Sequence, residues 1–460
     1  MRGTGVTGER LRTAATWALT PARWRALLGE RRVRAVGHLL TGTAATVGIT
    51  LITVGLAARA LGPAGYGALA LVLTLGQACE RLLSFQSWQP LIRYGAALDS
   101  PEHEADYRSL LKFGLLLDLG GGALAWAVAS LLVLAGRLLF HLDGGTVLLA
   151  LAYMVSLLFN LNGISTAIFR LTGQFRLVAR VQVINAIVRL ACVAAAYAAN
   201  AGLASFVLIW AVTQALGSLA NFGTAWWLLR RTGRHRLWRA SLTGLRERFP
   251  GLWRFALGSN LSLSLWASAQ QVDTLLVGWL ADPVSAGLFH IAKRISRVVQ
   301  QVGSQVESVV YPDLSRLAAA GEQRQFNRVL LQTEAILAAF GGACFLGALL
   351  LAPTLLRLAA GPGFAAAAPL LTVQILAVSL TISGAASRAA LLARGAQSAV
   401  LRVVGAATAT FYLTAPFLVL WIGAMGANVA HVLFGTVWLA GLTLSLRRLP
   451  PQTIGAAAVA

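Results

Sequence analysis

Charge is scarce in this chain, and lysine scarcer still. Only 12% of its 460 residues are charged, and every one of its 38 basic residues except Lys112 and Lys293 is arginine. Ordinary soluble domains carry about a quarter charged residues. At 57% hydrophobic and a mean hydropathy of +0.71, the chain is excluded from that class and reads as a polytopic membrane protein. Cysteine is equally sparse: Cys79, Cys192 and Cys344 all sit in apolar runs. They have neither the context of a disulfide framework nor metal-ligand spacing, so no metal and no cofactor is expected. A basic soluble module is missing, which excludes nucleic acid as a partner. A phosphate-cradling glycine loop is missing too. No outer connection offers a paired acid and base, which argues against an enzyme. The basic N-terminal region is not followed by a small-residue cleavage site, so the first span is expected to be retained.

What the chain has in abundance is long apolar runs. Windows of roughly twenty apolar residues predict twelve spans, at 36–58, 67–90, 113–135, 146–168, 179–199, 203–229, 255–280, 284–312, 329–356, 366–391, 399–421 and 427–446. The connections alternate in charge. One set carries Arg2 to Arg34, Arg93 to Lys112, Arg170 to Arg180, Arg230 to Arg254, Arg316 to Arg328, Arg394 to Arg402 and Arg447–Arg448, the other little beyond Arg59, Arg137 and Arg357. The positive-inside rule then places both termini in the cytoplasm. The net charge of +22 follows from the same loops, where arginine orients the chain and meets anionic membrane lipids. The predicted organisation is a basic cytoplasmic segment 1–35, an N-lobe 36–229, a basic linker 230–254, a C-lobe 255–448 and a cytoplasmic tail 449–460. An acidic run in one inner loop, Asp99, Glu102, Glu104 and Asp106, reads as a solvated face.

Span eight breaks the apolar pattern. His290, Arg294, Arg297, Gln301, Ser304 and Ser308 recur at steps of three and four, which stacks them on one helical stripe. Lys293 and Gln300 widen it by one flank. Cations at bilayer depth are costly, so such a face lines protein or water rather than lipid. Lys293 and Arg294 lie roughly ten residues into the span, about 15 Å deep. Arg189 of span five and Arg81 of span two reach similar depths, and only Glu80 and Asp273 stand as deep acidic partners. The surplus of positive charge suits an anionic headgroup. Arginine keeps its charge when desolvated and offers a fork of donors to phosphate oxygens. Lys293, Arg294, Arg297, Arg189 and Arg81 are the predicted phosphate contacts, with His290 and Gln301 completing the stripe. Asn260, Ser264 and Gln271 share a face of span seven and could hydrogen-bond sugar hydroxyls, or simply pack between helices. Asp273, near an outer end, and Glu80 are the candidates for a coupling proton or sodium ion. An ion pair or an outer-turn cap is the plainer role for Asp273. Asp118, Glu307, Glu334 and Arg388 fall near inner ends, where snorkelling would account for them. His431 lies near an outer end without a metal-spaced partner.

The two halves resemble each other. Pro63 and Gly67 in ALGPAGYGALAL correspond to Pro283 and Gly287 in LADPVSAGLFHI, and Gly173 and Arg180 correspond to Gly395 and Arg402. Six spans per half make the repeats parallel, which implies a site near the midplane between two lobes.

The opening stretch GHLLTGTAATVGITLITVGLAARALGPAGYGALALVLTL and the later SNLSLSLWASAQQVDTLLVGWLADPVSAGLFHIAKRIS, residues 259–296, resemble the Wzx-type lipid-linked oligosaccharide flippases. These belong to the superfamily that also holds multidrug (MATE) exporters and the lipid II flippase. The resemblance implies an all-α, MATE-like fold: two pseudo-symmetric six-helix lobes forming a V that opens alternately inward and outward. It implies an undecaprenyl-pyrophosphate-linked oligosaccharide as cargo, with the prenyl tail left in lipid. It also implies a bacterial cytoplasmic (inner) membrane location and a place in O-antigen or related polysaccharide biosynthesis, beside glycosyltransferases and a polymerase. The two extra spans of the lipid II flippases are not found here, which argues against lipid II. A cation-coupled multidrug exporter is the alternative, but its cavity would favour acidic and aromatic groups over Lys293, Arg294 and Arg297. A polysaccharide polymerase or ligase would need a large outer loop, and every outer connection here is short.

Overall fold

In lipid every backbone polar group needs an internal partner, so an apolar chain of this kind resolves into helices. The computed structural model describes residues 31–85, 87–96, 98, 100–139, 143–234, 237–257, 268 and 271–448. Most of segment 1–35 and the tail beyond Arg448 lie outside the described residues.

The helices are α1 (Arg31–Leu83), α2 (Trp88–Gly95), α3 (Glu104–Leu139), α4 (Gly144–Met154), α5 (Asn162–Leu171), α6 (Phe175–Ala198), α7 (Leu203–Arg231) and α8 (Leu245–Arg248), then α9 (Val272–Leu280), α10 (Pro283–Ala319), α11 (Gln323–Ala360), α12 (Ala368–Ser383), α13 (Ala385–Ala393), α14 (Gln397–Ile422) and α15 (Ala424–Arg448). Nine stretches of the described residues are long and apolar enough to cross a membrane. The chain is thus an all-α, multi-pass protein. Helix α10, which carries the polar stripe, is not among these stretches; its cations lower its hydropathy below that of a lipid-facing span.

α1 is two helices meeting at Gly62, whose φ of 63° and ψ of 179° suit glycine alone. Pro63 then starts the second helix with its φ already set. The matching turn in the second half starts α10: Asp282 accepts from the Ser285 backbone N–H at 2.9 Å, and Pro283 occupies the first turn. The two turns dock on each other. A Cβ on Gly67 would overlap the Pro283 carbonyl oxygen, and one on Gly287 would stand 2.8 Å from the Pro63 carbonyl oxygen. The repeated P-x-x-x-G turns therefore make reciprocal contacts across the seam between the two halves. Beside them Arg59 donates to the carbonyls of Arg357 and Leu358, and the Tyr66 ring meets the edge of Phe364 at 5.6 Å. The two halves are tightly closed at this end, called the turn end below.

α1 packs on α3 and α6 of its own half and on α9, α10 and α11 of the other. In the second half α10 packs on α12 and α13, and α15 on α12 and α14.

Spans expected as unbroken at 146–168 and 366–391 are both interrupted. The first changes from α4 to a 3-10 turn at Val155–Phe159 before α5, and the second breaks at Gly384 between α12 and α13. Each break is held by a carboxylate on the preceding long helix. Asp118 of α3 accepts from the Ile164 backbone N–H at 2.7 Å, filling one of the donors that a new helix start leaves open. Glu334 of α11 accepts from the Ser387 hydroxyl. These acids, expected to snorkel, instead brace equivalent breaks in the two halves. Broken helices lining a cavity are the membrane-protein form of a substrate site.

The 230–254 linker also differs from a free basic connection. Leu237, Leu245, Phe249 and Leu252 are buried against Leu91, Tyr107 and Leu110. Arg234 pairs with Glu104 at 3.0 Å and Arg248 with Asp106 at 2.8 Å. Lys112 donates to the carbonyls of Trp238 and Ala240 at 3.1 and 2.8 Å. Glu104 and Asp106 of the supposedly solvated acidic run are thus the linker's anchors, because the loop's apolar residues bring its arginines onto them.

Candidate functional site

One helix turn decides the fate of the span-eight cations. Successive residues on a helix point about 100° apart, so Lys293 and Arg294 face different surroundings. Lys293 turns into its own half. Its Nζ donates to Asp273 Oδ1 at 2.5 Å, and Asp273 Oδ2 meets His431 Nε2 at 2.8 Å. The Thr274 backbone N–H adds a 2.6 Å bond to the same carboxylate. Lysine, aspartate and histidine are 4%, 0% and 6% exposed, so the triad closes α9, α10 and α15 around a sealed ion pair. The sequence grouped Lys293 with the phosphate contacts and left His431 without a partner; the structure gives both to Asp273.

Arg294 and Arg297 face the gap between the halves. With Gln301 of their own helix and Thr50, Arg81 and Gln182 of the first half, they line a cavity of about 360 Å³. A neighbouring cavity of about 370 Å³ takes Arg81, Gln271, Arg297, Gln301 and the Glu307–Arg388 pair, joined at 2.7 Å. A third, of about 340 Å³, takes Arg81, Arg189 and Arg294 with Glu80. Arg81 borders all three. Together the walls carry Arg81, Arg189, Arg294, Arg297 and Arg388 against Glu80 and Glu307. Glu307 pairs with Arg388, and Glu80 accepts from Asn160 and Gln214 at 3.0 and 3.2 Å. The walls therefore hold a surplus of positive charge. Arg294 Nε and Gln271 Nε2 are buried without a hydrogen-bond partner among the described residues, a state that an incoming acceptor would relieve.

The remaining expected residues fall in several places. Arg189 Nε donates to Thr213 Oγ1 at 2.7 Å while still bordering the third cavity. His290 is buried at the seam, its Nδ1 2.7 Å from the Tyr66 hydroxyl, so it joins the halves near the turn end. Asn260 and Ser264 lie outside the described residues. Residues not picked from sequence are Gln182 and Asn185 on α6, Gln214, Ser218 and Asn221 on α7, and Asn160 and Asn162 at the α4–α5 break. A signal was present: Gln182, Asn185 and Arg189, and Gln214, Ser218 and Asn221, repeat the three-and-four spacing of span eight.

The geometry agrees with comparisons to known proteins. The polysaccharide biosynthesis protein family matches residues 33–318. The inner membrane protein YghQ of Escherichia coli (strain K12) is 27% identical over 273 residues, covering 58% of this chain and 75% of that protein. Among solved structures, the lipid II flippase MurJ in an inward closed conformation aligns with a TM-score of 0.70 at 14% identity, covering 90% of this chain and 88% of its own. An inward-facing multidrug resistance MATE family transporter aligns at 0.68 and 16% identity, covering 87% and 94%. An outward-facing one reaches 0.55 at 16% identity, covering 90% and 94%. The chain belongs to the polysaccharide biosynthesis protein family, and its fold is that of MurJ and the MATE transporters.

Proposed function

We propose that the chain flips an undecaprenyl-pyrophosphate-linked oligosaccharide from the inner to the outer leaflet of the bacterial inner membrane by alternating access. The cargo would come from glycosyltransferases and pass to a polymerase of cell-surface polysaccharide assembly. The observation that carries this reading is the convergence of Arg81 from one half with Arg294 and Arg297 from the other on adjoining cavities. A pyrophosphate there would be gripped by both halves at once. Closing on it would then favour movement of one half against the other, as differential binding requires. In this reading the protein has twelve spans in two six-helix lobes and cytoplasmic termini. The sealed turn end faces outward and the arginine-rich loops face the cytoplasm, so the described conformation is closed on the outer side. The closer fit to an inward closed and an inward-facing structure than to an outward-facing one supports that assignment.

A cavity for organic cations would not hold a surplus of arginine, which disfavours multidrug export. Of the two coupling ions, a proton suits Asp273 better than sodium, since the Lys293 ammonium already occupies the place a metal cation would take. Glu80, held by two amides, serves cargo recognition rather than coupling in this account. The test is surface polysaccharide in cells that depend on this chain. Arg294→Gln with Arg297→Gln should abolish it while membrane levels stay normal. Wild-type polysaccharide from that variant would refute the reading.

A further inference from the structure

The third cavity has no place in a mechanism built on phosphate alone. Not one apolar side chain lines it among the described residues: its wall is amide, hydroxyl and charged groups with Gly217. Pockets for small apolar ligands are mostly hydrophobic with a few polar groups, so this wall points to a different chemistry.

Four of its amides form one directed chain that converges on Glu80. Asn221 Nδ2 donates to Asn162 Oδ1 at 3.5 Å, Asn162 Nδ2 to Asn160 Oδ1 at 2.8 Å, and Asn160 Nδ2 to Glu80 Oε1 at 3.0 Å. From the other side Tyr153 donates to Gln214 Oε1 at 2.9 Å, and Gln214 Nε2 to Glu80 Oε2 at 3.2 Å. Both Glu80 carboxyl oxygens accept, which turns every amide of the chain in one sense and fixes which face of each stays available. Each amide keeps a second N–H and a second oxygen lone pair for a ligand. Two acceptor atoms on this wall, Asn221 Oδ1 and Ser156 Oγ, are buried with no partner among the described residues. A ligand rich in groups that both donate and accept would satisfy the wall, and sugar hydroxyls are such groups.

We infer that this pocket is a sugar subsite. It receives the sugar next to the pyrophosphate, while Arg81 and Arg294, which border both this cavity and its neighbour, hold the phosphates. The inference rests on the flippase reading above and adds to it the part of the cargo that the first half of the chain recognises. It also explains the break in the fourth span. An unbroken helix through 155–161 would place Asn160 and Asn162 about 200° apart, whereas the break lets them bond to each other.

The test uses the full chain in lipid nanodiscs and three probes: undecaprenyl pyrophosphate, and the same lipid carrying one hexose or one N-acetylhexosamine. Wild-type protein should bind at least one sugar-bearing lipid about ten-fold tighter than the bare lipid, the gain expected of one or two added hydrogen bonds. Asn162→Leu with Asn221→Leu should erase that gain and leave affinity for the bare lipid unchanged, which also shows that the variant is folded. Gly217→Ala offers a second route, because its new methyl would overlap the Asn185 amide, which also lines the pocket; it should reduce the gain. Variants that keep the full gain, or wild-type protein that gains from neither sugar, would overturn the subsite alone. Wild-type protein that binds none of the three lipids would overturn the flippase reading and the subsite together.

Discussion

Lys293 and Arg294 are adjacent residues of the same charge on the same helix, and the molecule uses them in opposite ways. Lys293 is neutralised within one half, its buried ammonium paired with Asp273, whose other oxygen meets His431. Arg294 is left on the wall of the gap with a buried Nε that nothing among the described residues accepts. The comparison teaches that a cation deep in a membrane protein is explained in one of two ways. Either the chain supplies its counter-charge, and the pair holds helices together, or the chain withholds it, and the ligand supplies it.

The widest separation of the two should appear in binding. Arg294→Gln with Arg297→Gln should weaken affinity for undecaprenyl pyrophosphate by about 100-fold or more, since two charge-assisted hydrogen bonds at about 1.5–3 kcal/mol each are removed. Lys293→Met with Asp273→Leu should change it by less than about three-fold. A large loss in the second variant would merge the two roles.

Stability should run the other way. Asp273→Asn leaves Lys293 buried without its counter-charge and should destabilise the chain by about 3–5 kcal/mol. Replacing both members with apolar residues should recover most of that. The arginine variants should melt at or above the wild-type temperature in detergent. A smaller effect belongs to the seam. Tyr66→Phe removes the hydroxyl bonded to His290, a loss of about 0.5–1.5 kcal/mol. It should shift spin-label distances across the turn end toward an open state, and unchanged distances would mean the bond does not bias the closure. Smallest is Arg248→Gln, which loosens a half-exposed pair with Asp106 worth about 1 kcal/mol or less. Its readout is faster proteolysis of the 230–254 segment.

Much of this was legible in the sequence. Hydropathy gave the multi-pass class, and the paired P-x-x-x-G turns were visible as a repeat, though not that Gly67 and Gly287 dock on each other's turns. The polar stripe marked α10 as the helix that faces the gap. Periodicity, however, fixes a face and not its partner. Lys293 was one flank of the stripe, and only the position of Asp273 and His431 on two other helices shows that the flank turns inward. The roles of Asp118 and Glu334 were hidden because a helix break inside an apolar run carries no hydropathy signal; Gly384 and Gly163 stand at the two breaks, but single glycines in an apolar run do not say which acid lies against them. The amide chain was hidden for a related reason. Its members come from α1, the α4–α5 break and α7, and each alone looks like ordinary interhelical packing.

The most direct test of the central claim is transbilayer movement itself. Liposomes containing the purified chain would be loaded on one leaflet with a fluorescent undecaprenyl-pyrophosphate-linked sugar, and its appearance on the other leaflet followed by quenching. Wild-type protein should move the lipid, and Arg294→Gln with Arg297→Gln together should move none above protein-free liposomes. Movement at the wild-type rate by that variant would contradict transport through the arginine site.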